Sequence, residues 1–209
     1  MKITKLEHSG IVIEKNGQVL IFDPVEYTKQ IPVFQNVVAI VITHKHGDHL
    51  QLNVLDKIMR NNPEAKIFTT EDAAPSIVND TIVHVGDSYT VGEFKLDFFG
   101  KDHAAIVPGQ VPCMNIGVVV DDAFVNPGDS FDLPATPAKI LMVPTSGPWV
   151  KTIESMEYIE KAKPELVIPF HNAMLSEFGE GTTNNWMLKA CEKVGAEFAG
   201  LKPGESIMV

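Results

Sequence analysis

Thr43, His44, Lys45, His46, Gly47, Asp48 and His49 follow one another without a break, so that three imidazoles and a carboxylate fall within six residues. Imidazole nitrogen and carboxylate oxygen are the donor types that suit zinc and neighbouring divalent metals. The chain holds seven histidines in all, and three of them stand in this run. The plainer reading is a chance surface tract that binds metal adventitiously. It fits poorly with the apolar stretch 37–42 that leads into the cluster, which reads as a strand buried on both faces. A buried strand ending in an exposed chelator is a rigid platform for a metal.

The remaining histidines are His8, His84, His103 and His171. His103, in Gly100-Lys101-Asp102-His103, follows an apolar segment at 93–99. His171 follows another at 166–168. Both therefore occupy the place that His44 occupies, just past the end of a strand. Asp129, in Pro127-Gly128-Asp129-Ser130, stands beyond a third such segment at 123–126. Ligands of one site on a β scaffold come from strand ends along one edge, so these residues are natural partners. Five histidines with Asp48 and Asp129 are too many for one tetrahedral ion and suit two divalent ions. Two metals about 3.5–4 Å apart with a bridging water are a recurring hydrolytic device.

Short segments must position these groups. Residues 11–14 and 19–22 flank Asn16-Gly17, a strong hairpin signal. Residues 50–60 carry apolar side chains at helical spacing and stop at Asn61-Asn62-Pro63. A strand at 67–69 and a short helix at 71–78 follow. Strands are then expected at 81–85, 88–91, 93–99, 115–120 and 123–126, with hairpins around Gly92 and Asp121-Asp122. From residue 139 the order becomes strand 140–143, helix 152–162, strand 166–168, helix 183–194 and strands 197–199 and 206–208. Two β-rich halves that each finish in helices predict an α+β fold of two sheets packed face to face with helices outside. An open α/β sheet is the alternative, disfavoured by the early hairpins. No linker interrupts residues 1–209, which read as one domain.

Composition bounds the partners. A formal charge of −10 argues against nucleic acid and against an anionic membrane surface. No stretch reads as a signal peptide or a membrane span, so a cytoplasmic location is expected. Cys113 and Cys191 do not make a disulfide framework and read as small core hydrophobes. A small-molecule substrate is the expected partner. A homo-oligomer is compatible with the sequence.

The order of these residues resembles the metallo-β-lactamase superfamily, whose signature is a strand-terminal Asp, then H-x-H-x-D-H, a His, an Asp and a His. Asp23 in Ile21-Phe22-Asp23-Pro24, then His44, His46, Asp48 and His49, then His103, Asp129 and His171 match every element in order. The resemblance implies the four-layer αβ/βα sandwich with the site at one edge between the sheets. It implies that His44, His46 and His103 bind a first metal, that Asp48, His49 and His171 bind a second, and that Asp129 bridges them. Asp23 would orient the metal-binding loop from behind the ligands. The motif continues as Leu50-Gln51-Leu52, without the glycine pair frequent in true lactamases and glyoxalase-II-type thioesterases. Glu7-His8-Ser9-Gly10, followed by Val19-Leu20-Ile21-Phe22-Asp23-Pro24, is similar to the compact branch that includes L-ascorbate-6-phosphate lactonase-like proteins.

The implied activity is hydrolysis of a lactone or related ester-like bond in a small metabolite by a metal-bridging hydroxide, with Asp48 or Asp129 as proton acceptor. A small or cyclic phosphodiester is the alternative substrate. Iron-dependent redox chemistry and a non-catalytic metal-binding module are two further classes. Zinc is the expected metal, with manganese or iron as alternatives. His8 reads as a hydrogen-bonded residue behind the site, or as one that contacts substrate or a ligand carboxylate. His84 reads as a non-ligand strand residue and Lys45 as solvated, with an anion-binding role as its alternative. Trp149 either walls a pocket or caps the core. Phe170 and Met174, beside His171, pose the same choice, with a structural role the expected one.

Overall fold

Alternation of apolar side chains at period two sends each strand's neighbours to opposite faces of a sheet, and here both faces of both sheets are covered. The computed structural model describes residues 1–109 and 111–209. The first sheet is built from β1 (Lys2–Lys5), β2 (Ile11–Lys15), β3 (Gln18–Phe22), β4 (Val37–Val41), β5 (Lys66–Thr69) and β6 (Asp80–Ile82). The second is built from β7 (Ser88–Val91), β8 (Phe94–Phe99), β9 (Gly117–Val120), β10 (Phe124–Asn126), β11 (Ile140–Pro144), β12 (Leu166–Phe170) and β13 (Glu197–Phe198). The last strand, β14 (Ser206–Met208), returns to the first sheet and pairs with β1. Each sheet has seven strands, in the orders β14-β1-β2-β3-β4-β5-β6 and β13-β12-β11-β10-β9-β8-β7. Pairing is antiparallel from β14 to β3 and from β7 to β10, then parallel to the far edge in each case.

The inner faces meet in one core. Ile11, Ile13, Leu20, Phe22 and Val41 of the first sheet pack against Phe94, Leu96, Val118, Phe124, Met142 and Ile168 of the second. The alternate residues point outward. Val12, Ile21, Ile40 and Ile67 pack on Val54, Leu55 and Ile58 of α1 (Leu52–Asn61). Val125, Leu141 and Val167 pack on Tyr158 and Ile159 of α2 (Thr152–Ala162) and on Met187 and Cys191 of α3 (Glu177–Val194). The expected four-layer αβ/βα sandwich is what the chain forms. Among the described residues no helix is long and apolar enough to cross a membrane.

Several boundaries differ from the sequence reading. The helix expected over 71–78 is a single 3-10 turn, Ala74–Ser76, because Pro75 removes an amide donor and biases its predecessor away from the helical region. The strand expected over 81–85 ends at Ile82, where Asp87 accepts the His84 amide and donates its own amide back to His84. Helix α3 starts at Glu177 rather than 183. Ser176 caps it by accepting the Gly179 amide, and Gly179 and Gly181 had masked that first turn.

Candidate metal centre

Strand ends of both sheets converge on one edge. The Asn16-Gly17 turn is tight, with φ of 50° and 79°, and sets β3 in register so that Asp23 emerges beside the end of β4. Asp23 is fully buried. It accepts the Thr43 amide at 2.7 Å, the Thr43 hydroxyl at 2.7 Å and His49 Nδ1–H at 2.8 Å. That ties the start of the loop to its end. Within the loop His46 O accepts the amides of His49 and Leu50.

In the second sheet each residue is held separately. His103 Nδ1 donates to Ala104 O and His171 Nδ1 donates to Ser146 O. Asp129 is fixed by Asn115, whose Oδ1 accepts the Asp129 amide and whose Nδ2 donates to Pro127 O, both at 2.9 Å. Gly128 lets this loop approach the other sheet. With φ of 61°, a Cβ there would lie 2.2 Å from Asn115 Oδ1 and 3.0 Å from Thr43 Cβ.

The outcome is a cluster in which His44, His46 and His103 present donor atoms within 4.8 Å of one another. Asp48, His49 and His171 form a second such group with His8, and His44, His49 and Asp129 form a third. Asp129 lies between the groups: Oδ2 is 3.2 Å from His103 Nε2 and 3.0 Å from His171 Nε2, and Oδ1 is 3.1 Å from His49 Nε2. His49, His103 and His171 each use Nδ1–H on an oxygen, so each turns the lone pair of Nε2 toward a carboxylate. In the neutral rings lone pair faces lone pair, which is repulsive unless a metal ion or a proton stands between them.

His49 Nε2, His171 Nε2 and Asp129 Oδ1 are also buried, and although the two nitrogens crowd to 3.1 and 3.0 Å from Asp129 oxygens, these atoms make no well-directed hydrogen bond. An arrangement of unpartnered donors around a common centre suits a divalent ion. The ionisation tendencies tell the same story. Burial acts to lower the His171 pKa, but Asp129 and Asp48 outweigh it and push it up to about 9. Burial acts to raise the Asp129 carboxyl, and His49, His103 and His171 hold it well below the usual carboxylate range. His44, facing other imidazoles, is pushed well down by burial and then by His49. Positive charge is demanded where carboxylates gather and refused where imidazoles gather.

Around this centre, Lys45 pairs with Asp72 at 3.0 Å and leans to solvent. His84 is exposed beside Asp87. Trp149 is buried, with its ring edge-on to His103 and His171 at 5.4 and 5.8 Å. It therefore packs directly behind the cluster. Phe170 is core, whereas Met174 is exposed. Met174 lines a depression of about 410 Å³ beside His8, Tyr27 and Asp48. A second, of about 280 Å³, borders His46, His103, Lys45 and Cys113.

Three contributors escaped the sequence reading. Cys113 is half-buried with Sγ 3.5 Å from His46 Nε2, so only Cys191 is the core hydrophobe expected of both. Ser9 Oγ donates to Asp48 O at 2.6 Å. Glu7 accepts the amides of Tyr27, Thr28 and Lys29, pinning the loop that carries Tyr27 to the mouth. Ser9 lay inside the Glu7-His8-Ser9-Gly10 signal, whereas nothing in the sequence marked Cys113.

The chain is 29% identical to protein Rv0786c of Mycobacterium tuberculosis over 188 residues, 87% of this chain and 88% of that one. It is 24% identical to a UPF0173 metal-dependent hydrolase of Carboxydothermus hydrogenoformans across the full length of both. Its fold is similar to that of Igni18, a metallo hydrolase from Ignicoccus hospitalis, with a TM-score of 0.73 at 18% identity over 99% of this chain and 97% of the other. The family model described as the beta-lactamase superfamily domain matches residues 2–171. With that match spanning most of its length, the chain belongs to the metallo-β-lactamase superfamily.

Proposed function

We propose that this protein is a metal-dependent hydrolase that holds two divalent ions, zinc by preference, and cleaves a lactone or related ester-like bond in a small cytoplasmic metabolite. The observation that carries the reading is the convergence of unpartnered His49 Nε2, His171 Nε2 and Asp129 Oδ1 between two groups of ligand-type side chains. His44, His46 and His103 would hold one ion, Asp48, His49 and His171 the other, with Asp129 facing both. Bound there, the ions supply a water-derived nucleophile at neutral pH and polarise the oxygen of the scissile group. The lactone preference rests on the likeness of the 7–10 and 19–24 segments to the lactonase-like branch.

The chain's own part is to hold and to exclude. Asp23, Ala104 O and Ser146 O fix the tautomers and planes of His49, His103 and His171. Trp149 closes the site from behind. Of the two carboxylates, Asp48 keeps a third of its side chain exposed and Asp129 almost none. Asp48 is thus the group placed, on the solvent side, to accept the proton that the attacking water-derived oxygen gives up and to pass it to the departing oxygen.

Metal analysis paired with a panel of lactones, thioesters and small phosphodiesters tests this, with His46→Ala as control. Lactone turnover that disappears with metal removal and in the variant is the expected result. Turnover of phosphodiesters alone would move the reading to a phosphodiesterase. Activity persisting in metal-free protein would sink it.

A further inference from the structure

His8 sits in ligand range of Asp48, His49 and His171, yet its ring is turned the other way round. Nδ1 lies 3.1 Å from the Ala173 backbone nitrogen. A peptide nitrogen can only donate, so Nδ1 must carry the lone pair. The ring proton then belongs to Nε2, which stands 3.3 Å from Asp48 Oδ2. His49, His103 and His171 show the reverse, with Nδ1–H donated and Nε2 turned toward Asp129.

We infer that His8 is a positioning residue and not a metal ligand: its Nε2–H holds the Asp48 carboxylate, while its main chain holds His171. His8 O accepts the His171 amide at 3.0 Å and the Lys5 ammonium at 2.6 Å. Lys5 Nζ also donates to Leu6 O at 2.8 Å. The buried lysine thereby braces a turn in which His8 adopts φ of 51°, a conformation a residue with a Cβ seldom takes. The His8 ring packs on the His171 ring with centroids 3.9 Å apart and is shielded from water. One residue therefore couples Asp48 of the first half to His171 of the second, the two expected to share an ion. This consequence rests on the metal-centre reading above; the tautomer does not.

Nitrogen-15 imidazole spectra of the metal-free and zinc-loaded protein test the tautomer, the His8 signals being those missing in His8→Gln. A proton on Nε2 and none on Nδ1 in both states is expected. A zinc-shifted Nε2, or a proton on Nδ1, would overturn the inference. Competition with a chromophoric chelator tests the consequence. In His8→Gln the carboxamide N–H can replace Nε2–H, whereas His8→Asn reproduces only the acceptor at Nδ1. His8→Asn should weaken one of two zinc ions about 10–100-fold while His8→Gln stays near wild type. Equal losses in both variants, or no loss in either, refute the positioning role. If the wild type takes up no zinc, the metal-centre reading fails, and the spectra still decide the Asp48 contact.

Discussion

In the first sheet one loop after β4 delivers His44, His46, Asp48 and His49, whereas the second sheet delivers His103, Asp129 and His171 from the ends of β8, β10 and β12. The sheets share a pairing pattern, antiparallel on one side and parallel on the other, so the difference lies in the loops. The first loop is self-supporting: Asp23 clasps both its ends, and its backbone closes on His46 O. The three loops of the second sheet are held by segments remote from each of them in the chain: Cys113 O accepts the His103 amide, Asp129 O the Ala104 amide and His8 O the His171 amide, while Asn115 Oδ1 accepts the Asp129 amide. A local motif can be rigid before metal arrives; a dispersed one gains more of its order from the ion.

That contrast can be broken first by removing metal. In the proposed two-ion centre, zinc a thousandfold above its dissociation constant would add about 4 kcal/mol to stability per site. Chelation should abolish hydrolysis and lower the unfolding midpoint accordingly. Hydrogen exchange should then rise more at 101–104, 127–130 and 171–175 than at 43–49, and equal rises would erase the distinction.

Asp23→Ala attacks the self-supporting half. It leaves the buried Thr43 amide, Thr43 hydroxyl and His49 Nδ1–H without their acceptor, a loss of roughly 3 kcal/mol expected in denaturant unfolding of the metal-free protein. If the first loop owes its order to metal, that variant will be near neutral without it.

The seam between the halves runs past Lys5, fully buried, whose pKa burial lowers from 10.5 to about 7 against the pull of Glu180 and Glu7. Between those values the unfolded chain binds a proton that the folded one does not, so stability should rise with pH from about 7 to 10.5. The slope approaches about 1.4 kcal/mol per pH unit. Below pH 7 the full cost of burying the charge is present. Unfolding titrations across this window should show the slope in wild type and its loss in Lys5→Met.

The smallest effect is expected from Lys45→Ala. Its pair with Asp72 is half-exposed, so under about 1 kcal/mol should be lost. A large fall in turnover with stability intact would instead give Lys45 a role toward substrate.

The same contrast explains what could be read in advance. Asn16-Gly17 marked its hairpin because an Asn-Gly pair tolerates the positive φ such a turn needs. The helix at 152–162 and the strand at 206–208 were legible from local pattern, yet nothing local showed that β14 would pair with β1 at the other end of the chain. The 71–78 segment misled because Pro75 lies inside an otherwise helix-compatible run. Cys113 was indistinguishable from a core cysteine, since its approach to His46 depends on a loop fold that leaves no periodic trace.

By itself the sequence determined the chemistry: which side chains can bind metal, and that each stands just past the end of a strand, because strand alternation and turn residues act over a few positions. The tertiary structure decided the rest. It set which ring nitrogen faces the centre, that Asp129 lies between the two groups, and that His8 donates to Asp48. Those outcomes depend on hydrogen-bond partners such as Ala173 and Ser146, which are remote in the chain and are brought near only when the two sheets close on a common core.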